Sequence, residues 1–181
     1  VMEALTQGAS LPRVLDKLVR ELESESSSKA ISIQLLDREG RRLLTGAAPS
    51  LPDFYSSAIH GLEIGPNVGS CGAAAWLKER VVVEEIQTHP NWIPYRDLAV
   101  RAGLASCWSE PIFGESGSLL GTFAIYGSRV GLPFSSDIQT IEFGVRLAAL
   151  AIERKMADEE RRQYLLQVEQ SRDQIAEQSI E

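Results

Sequence analysis

The chain has 181 residues, 44% hydrophobic content and a formal net charge of −7. This length and hydrophobic content are sufficient for one domain with a hydrophobic core and an additional segment. No apolar run approaches the roughly 20 residues needed to cross a bilayer and no segment resembles a signal peptide, so we expect a soluble, cytoplasmic protein with no membrane partner. The negative charge, without any cluster of Lys or Arg, disfavours nucleic acid as a partner, and two cysteines without a CxxC spacing exclude a disulfide scaffold or a zinc ribbon.

A helix and a hairpin are predicted at the start of the chain. Ser10 is placed to cap a helix with one apolar stripe, formed by Leu11, Val14, Leu15, Leu18, Val19 and Leu22. The range 30–36 alternates apolar and polar residues, 37–40 supplies turn residues, and 41–45 is predicted as the second strand. The apolar residues and prolines of 47–64 predict a short helix lying on the sheet.

The range 65–126 holds most of the glycines, prolines and tryptophans that a pocket needs. Ser70 is predicted to cap a helix over 71–78, and the three valines of 81–83 predict a strand. The connection 89–101 is too long for a simple turn, which is typical of a functional loop or of short helices over a sheet. In the strand 119–126, alternation places Leu119, Phe123 and Ile125 on one face and Leu120, Ala124 and Tyr126 on the other. Because both faces are apolar, we expect the sheet to be covered on both sides.

A single long helix is predicted from Ser135 or Ser136 to the end of the chain. Its apolar residues follow a spacing of three then four, the pattern of a coiled-coil seam or a docking helix, at Ile138, Ile141, Val145, Ala148 and Ile152. At about 1.5 Å per residue this helix would reach roughly 65 Å, far beyond a domain of this size. We therefore expect that it needs a partner.

The wording of several segments resembles the GAF domain family, in the form found in bacteria ahead of GGDEF, EAL or histidine kinase output domains. The matching segments are EALTQGASLPRVLDKL, GPNVGSCGAAAW, VVVEEIQTHPNWIPYRDLAVRAGLASCWSEPI, LLGTFAIY and LAALAIER. The resemblance implies an α+β fold with a central antiparallel sheet of order 2-1-5-4-3. It also implies that the first and last helices lie on one face and that short helices and loops form a pocket on the other.

The same resemblance implies a regulatory module and not an enzyme. We expect a GAF domain over 1–154 and a signalling helix over 155–181 that leads to an output domain. Members of the family commonly dimerise through the first and last helices, so a homodimer through Leu11–Leu22 and Ile138–Ile152 is predicted, with an unknown small molecule as ligand. The amphipathic pattern of both helices fits a dimer independently.

Known ligand classes of the family are matched only in part. Phe134 and Asp137 resemble the end of the cyclic-nucleotide motif, but its Asn-Lys pair is missing, and neither cysteine has the histidine neighbour of a bilin site. His60 and His89 are eligible as haem ligands, although a loop histidine before a proline is more often a capping residue. A zinc site would require both histidines and both cysteines to converge without any ligand-pair spacing.

The predicted ligand-binding residues are Ser70, Cys71, Trp92, Tyr95, Cys107, Trp108, Ser109, Phe123 and Ile125. On the fourth strand, Cys107 and Ser109 share one face and Trp108 lies on the other, and alternation alone does not say which face meets the pocket. Two alternatives to a sensory module remain open. One is a thiol-based enzyme resembling the methionine sulfoxide reductases of the family, using Cys71 or Cys107. The other is a ligand-free dimerisation spacer.

Overall fold

A six-stranded antiparallel sheet forms the centre of the computed structural model, which describes residues 8–25 and 29–178. The helices are α1 (Leu11–Glu25), α2 (Asp53–Ile59), α3 (Cys71–Leu77), a 3-10 helix (Pro90–Tyr95), α4 (Arg96–Arg101) and α5 (Ser135–Gln178). The strands are β1 (Lys29–Leu36), β2 (Arg42–Ala47), β3 (Leu62–Glu63), β4 (Val81–Val83), β5 (Ser106–Phe113) and β6 (Leu119–Gly127). The predicted boundaries 1–154 and 155–181 include residues 1–7 and 179–181, which lie outside the described part.

The strand order is β3-β2-β1-β6-β5-β4. Without β3 it is the predicted order 2-1-5-4-3, which is therefore confirmed. β3 adds a sixth strand at the edge beside β2, where Leu62 pairs with Leu43. The strand has only two residues, too few to show any periodicity in the sequence.

The first and last helices cover one face of the sheet. The apolar stripe of α1 is buried against this face, with Val14, Leu15 and Val19 fully buried. From α5, Ile141, Ala148 and Ile152 enter the same core cluster, which also contains Phe123 and other residues of β5 and β6. Apart from Ile138, which is only partly buried, both predicted stripes pack inside the domain. Of the two predicted alternatives for this part of α5, a coiled-coil seam or a docking helix, the structure shows the docking helix.

Short helices cover the opposite face of the sheet. The connection 89–101 consists of the 3-10 helix and α4, the second of the two predicted possibilities. A second apolar cluster lies beneath these helices and includes Tyr55, Ile86, Trp92, Cys107 and Tyr126. The sheet is therefore covered on both sides, as the two apolar faces of β6 predicted.

β6 departs from simple alternation at Leu120. The ladder pairs Ile112 with Gly121 and Phe113 with Leu119, so Leu120 is an extra residue at a bulge. The bulge directs its side chain into the cluster under α1 and α5. The prediction that Leu120 shares a face with Ala124 and Tyr126 was therefore wrong, since one inserted residue exchanges the two faces of a strand.

An ion pair fixes the start of α5 to the sheet. Asp137 Oδ2 accepts from Lys29 Nζ at 2.5 Å and from the Phe134 backbone N–H at 2.7 Å. Only 4% of the Asp137 side chain is exposed. The Lys29 ammonium also lies 4.8 Å from the centre of the Trp108 ring and 5.1 Å from that of Phe134.

The far half of α5 projects from the domain. From Met156 onward every residue whose burial is described is exposed. Across residues 8–25 and 29–178, the structure has no helix with the length and apolarity of a bilayer-crossing segment.

Candidate functional site

A small cavity lies between the sheet and the short helices. Its volume is about 40 Å³, whereas about 10–15 Å³ suffices for one water molecule. Its walls are Gln34, Leu43, Tyr55, Ile59, Leu62, Val68, Gly69, Ser70, Cys71, Gly72, Trp92, Tyr95 and Tyr126. None of these is an acidic or basic residue, and this conformation has room for a molecule of only a few atoms.

Ser70, which precedes α3, is hydrogen-bonded to both the 3-10 helix and β5. Its hydroxyl accepts from Trp92 Nε1 at 3.1 Å and lies 3.4 Å from the Cys107 carbonyl oxygen, to which it donates. Ser70 itself has helical backbone angles, and its side chain makes no capping hydrogen bond to α3. The prediction that Ser70 caps this helix was therefore wrong, because the hydroxyl is engaged by the 3-10 helix and by β5.

Two tyrosines form the floor of the cavity. The rings of Tyr55 and Tyr126 meet edge to face, with centroids 6.0 Å apart. Tyr126 Oη lies 3.3 Å from Ser32 Oγ and 3.7 Å from Cys71 Sγ. Burial raises the pKa of both phenols well above the usual value, so both hydroxyls stay protonated at neutral pH.

The two thiols differ in their ionisation. Hydrogen bonding from the Cys107 thiol, with smaller contributions from Ser109, Tyr126 and Thr122, outweighs burial and lowers the pKa of Cys71 to about 7. Burial and the neighbouring Cys71 raise the pKa of Cys107 well above its usual value. Cys71 is therefore the thiol that ionises first, and it is also the one that lines the cavity.

The structure separates the predicted ligand-binding residues into two groups. Ser70, Cys71, Trp92 and Tyr95 line the cavity, and Cys107 and Ser109 are buried beside Cys71 on the same face of the sheet. Trp108, Phe123 and Ile125 lie on the opposite face, packed against α1 and α5. Their inclusion in one pocket with the others is corrected, because alternation along β5 and β6 directs them away from it.

Sequence reasoning missed nine of the thirteen residues of the cavity wall. Gln34 is only 4% exposed, although its alternation with Ile33 and Leu35 is equally typical of a solvent-facing residue. The two apolar faces of β6 carried the missing signal. A sheet covered on both sides leaves no solvent face in its centre, so the polar residues of β1 must meet the second layer.

Neither histidine lines the cavity. His60 Nδ1 accepts from the Thr45 backbone N–H at 3.1 Å, and His89 Nδ1 caps the 3-10 helix by accepting from the Asn91 backbone N–H at 3.2 Å. The described ranges contain no group of three or more His, Cys, Asp or Glu side chains arranged to hold a metal ion. Asp137, considered above for a nucleotide motif, lies in the ion pair on the opposite face.

A wider groove of about 570 Å³ opens on that opposite face, beside Lys29, Trp108 and Phe134. Lys29 and Asp137 in its wall pair with each other, and Glu25 and Arg129 also line it. Of the predicted ligand-binding residues, its wall contains Trp108 alone.

Comparison with known proteins relates the chain to one family. A sequence model described as the GAF domain matches residues 8–153. The methyl sulfide methyltransferase-associated sensor of Methanosarcina acetivorans is 40% identical over 157 residues, which are 87% of this chain. The chain spans only 16% of that relative's length.

Solved structures share the fold at low identity. A domain described as part of a two-component sensor histidine kinase from Sinorhizobium meliloti is 22% identical, with a TM-score of 0.67 over 86% of this chain and 99% of that one. Free methionine-R-sulfoxide reductase from Neisseria meningitidis is 16% identical, with a TM-score of 0.65 over 86% of each chain. At these identities the likeness concerns the fold alone.

Proposed function

The chain belongs to the GAF domain family, and from that premise we propose that it is a sensory module without enzymatic activity of its own. A small molecule bound in the cavity would change the position of α5, which would pass the change to an output domain. We propose a histidine kinase or an enzyme of cyclic-di-GMP turnover as that output. The relative named as a sensor supports the sensory role.

The observation that carries this proposal is the position of β6 between the cavity and α5. Tyr126 of this strand lines the cavity, and its neighbour Ile125 packs into the cluster beneath α5. Phe123 packs so closely on Gly144 of α5 that a methyl group at Gly144 would overlap its ring. A displacement of β6 by a ligand therefore meets α5 directly, without an intervening layer. Signalling further requires that the ligand binds one arrangement of β6 and α5 more tightly than another.

The cavity wall indicates the class of ligand. Tyrosine hydroxyls, the Ser70 hydroxyl, the Gln34 amide and the Cys71 thiol are its polar groups, and the remaining surface is mainly apolar. These groups suit a small uncharged molecule with at least one hydrogen-bonding atom. A larger ligand would require the short helices to move outward.

A homodimer supplies the partner that α5 needs. The stripes of Leu11–Leu22 and Ile138–Ile152 are used inside the domain, so the proposed contact lies on the outer face of α5. There, a second series with alternating spacings of four and three comprises Phe143, Leu147, Leu150, Arg154, Ala157, Arg161, Tyr164, Val168, Ser171 and Ile175. Leu147 lies at the border of this face, because it also packs against the core cluster. The two arginines interrupt the apolar residues, as polar residues that fix the register of coiled coils do. Phe143 and Leu150 are each about half exposed.

Native mass spectrometry of the freshly purified chain tests ligand binding, with the denatured sample as reference. We expect a dimer that carries a small molecule, and reduced occupancy in a Gln34→Leu variant. Gln139→Leu, on the exposed surface of α5, is the matched control and should retain the molecule. A wild-type dimer without any bound molecule would contradict the ligand-binding part of the proposal.

Light scattering tests the dimer. A Leu150→Glu variant should become a monomer with unchanged near-ultraviolet circular dichroism of the tryptophans, because the side chain is 53% exposed and its replacement leaves the core of the domain intact. Glu159→Lys, seven residues beyond the core residue Ile152 and thus on the opposite side of α5, should remain dimeric. A dimer that persists in Leu150→Glu would refute this interface.

A further inference from the structure

Cys71 lines the cavity and packs against the apolar cluster that contains Cys107. Cys107 is fully buried on β5 and is paired across the ladder with Tyr126, whose hydroxyl is 3.7 Å from Cys71 Sγ. The residue before Cys71 donates its hydroxyl hydrogen bond to the Cys107 carbonyl oxygen. Cys71 is partly exposed and lines the cavity, and neither cysteine forms a disulfide in this structure.

The surroundings of Cys71 are built from hydrogen-bond donors. The Tyr126 hydroxyl lies 3.7 Å from its sulfur, and Cys107, Ser109 and Thr122 are near enough to lower the pKa of Cys71. The Thr122 hydroxyl is fully buried and has no hydrogen-bond partner among the described residues. A buried donor without a partner is costly, and a thiolate at Cys71 would supply the missing acceptor.

We propose that Cys71 and Cys107 form a dithiol that hydroperoxides oxidise to a disulfide, with Cys71 as the attacking sulfur and Cys107 as the resolving one. The Cys71 thiolate attacks one peroxide oxygen, so that the S–O bond forms, the O–O bond breaks and the departing hydroxide leaves as water after taking a proton. Cys71 is then a sulfenic acid. The Cys107 sulfur displaces its hydroxyl group, which leaves as a second water with the Cys107 proton. Two thiols are oxidised and one hydrogen peroxide is reduced to two waters.

The cavity favours this oxidant by its size. Hydrogen peroxide has two heavy atoms and fits a volume of about 40 Å³, whereas free methionine sulfoxide is much larger. The cavity wall contains no Asp, Glu, Lys or Arg, so the Cys71 thiolate is the charge that an entering molecule meets. The titratable groups that face Cys71 are Cys107, Tyr126 and Tyr55, and all three are protonated when Cys71 is ionised.

The test is mass spectrometry of the full chain after treatment with hydrogen peroxide, followed by denaturation and alkylation. We expect a monomer mass lower by two hydrogen atoms, no alkylation at either cysteine, and complete reversal by a dithiol reductant. Peroxide-treated protein in which Cys107 is still alkylated, or in which the disulfide joins two chains, would overturn the proposal. Because wild-type protein is used, the result does not depend on the folding of a variant.

Two variants separate the roles of the sulfurs. Cys107→Ser should stop at a Cys71 sulfenic acid that a dimedone probe captures, and Cys71→Ser should leave Cys107 unmodified. At pH 7, a pKa of about 7 in place of 9.0 gives roughly 50-fold more thiolate, and the lower nucleophilicity of the weaker base reduces the gain to about five-fold. Per reactive thiol, wild-type protein should therefore consume hydrogen peroxide about five times faster folded than in urea, and equal rates would overturn the role of the pocket. The readout is covalent, so it stands or fails separately from the ligand and dimer proposed above.

Discussion

Replacing Asp137 by alanine should strongly destabilise the domain at the point where α5 is attached. The substitution removes the partner of the Lys29 ammonium and the acceptor of the Phe134 backbone N–H. Because only 16% of the Lys29 side chain and 4% of the Asp137 side chain are exposed, the remaining charge stays largely buried. Breaking such a pair costs about 3–5 kcal/mol. The two aromatic rings near Lys29 offset part of this, so we expect about 3 kcal/mol.

The assay is urea unfolding at one fixed protein concentration, since association would otherwise add to the apparent stability. A double variant that adds Lys29→Met should recover about 2 kcal/mol, because no unpaired charge then remains. Glu63→Ala, which breaks a solvent-exposed pair with Arg41, is the control and should change little. A loss below about 1 kcal/mol for Asp137→Ala, or no recovery in the double variant, would refute the reasoning.

Three further predictions concern the sheet and the cavity. Ser70→Ala should lower the free energy of unfolding by about 1–3 kcal/mol, because the buried indole N–H of Trp92 loses its acceptor; unchanged urea denaturation would contradict this. Gly121→Ala should lower the free energy of unfolding by about 3 kcal/mol or prevent folding, since a methyl group there would overlap the Gln34 carbonyl oxygen of β1. The control is the solvent-facing Gly117→Ala variant, whose new methyl group meets no neighbour but whose φ is positive, and it should lose only about 1 kcal/mol. A similar loss in both variants would show that steric overlap is not the cause. The rate of Cys71 alkylation by iodoacetamide should rise with pH and reach half its maximum at about pH 7, because the thiolate forms above the lowered pKa of Cys71. A pH midpoint near the pKa of an ordinary thiol would be inconsistent with hydrogen bonding to this sulfur.

Periodicity was sufficient for most elements of the fold, whereas the order of the strands was an implication of the resemblance to the GAF domain family. The stripe of α1 and the alternation of β1 were each carried by several residues, so a single exception could not hide them. Leu120 shows the limit, because a bulge depends on how two strands pair and leaves no mark in the sequence of one of them. The stripe of α5 was read correctly as apolar, yet whether it met its own domain or a second copy depended on tertiary packing.

The cavity was predicted less completely than the fold. Trp92 and Tyr95 were found because aromatic residues on a long connection are conspicuous, and Ser70 was found for the wrong reason. Its hydroxyl binds residues 22 and 37 positions away, a relation that local rules for helix caps do not contain. The face of β5 that meets the cavity could not be chosen either, because alternation divides residues into two sets without saying which set is inside.

The length of α5 turns it into a lever. About 25 residues of the helix extend beyond the domain, which at about 1.5 Å per residue is an arm of roughly 37 Å. Each degree of tilt at the anchored end moves the tip by about 0.6 Å, so a rotation of a few degrees at Gly144 produces a displacement of more than an ångström at the far end. Small adjustments of side chains around a cavity of about 40 Å³ are therefore large enough to displace any domain that contacts the end of α5. The arm is useful only while it is stiff, and an unpaired helix in water frays, so pairing with a second arm would determine how much of the motion arrives.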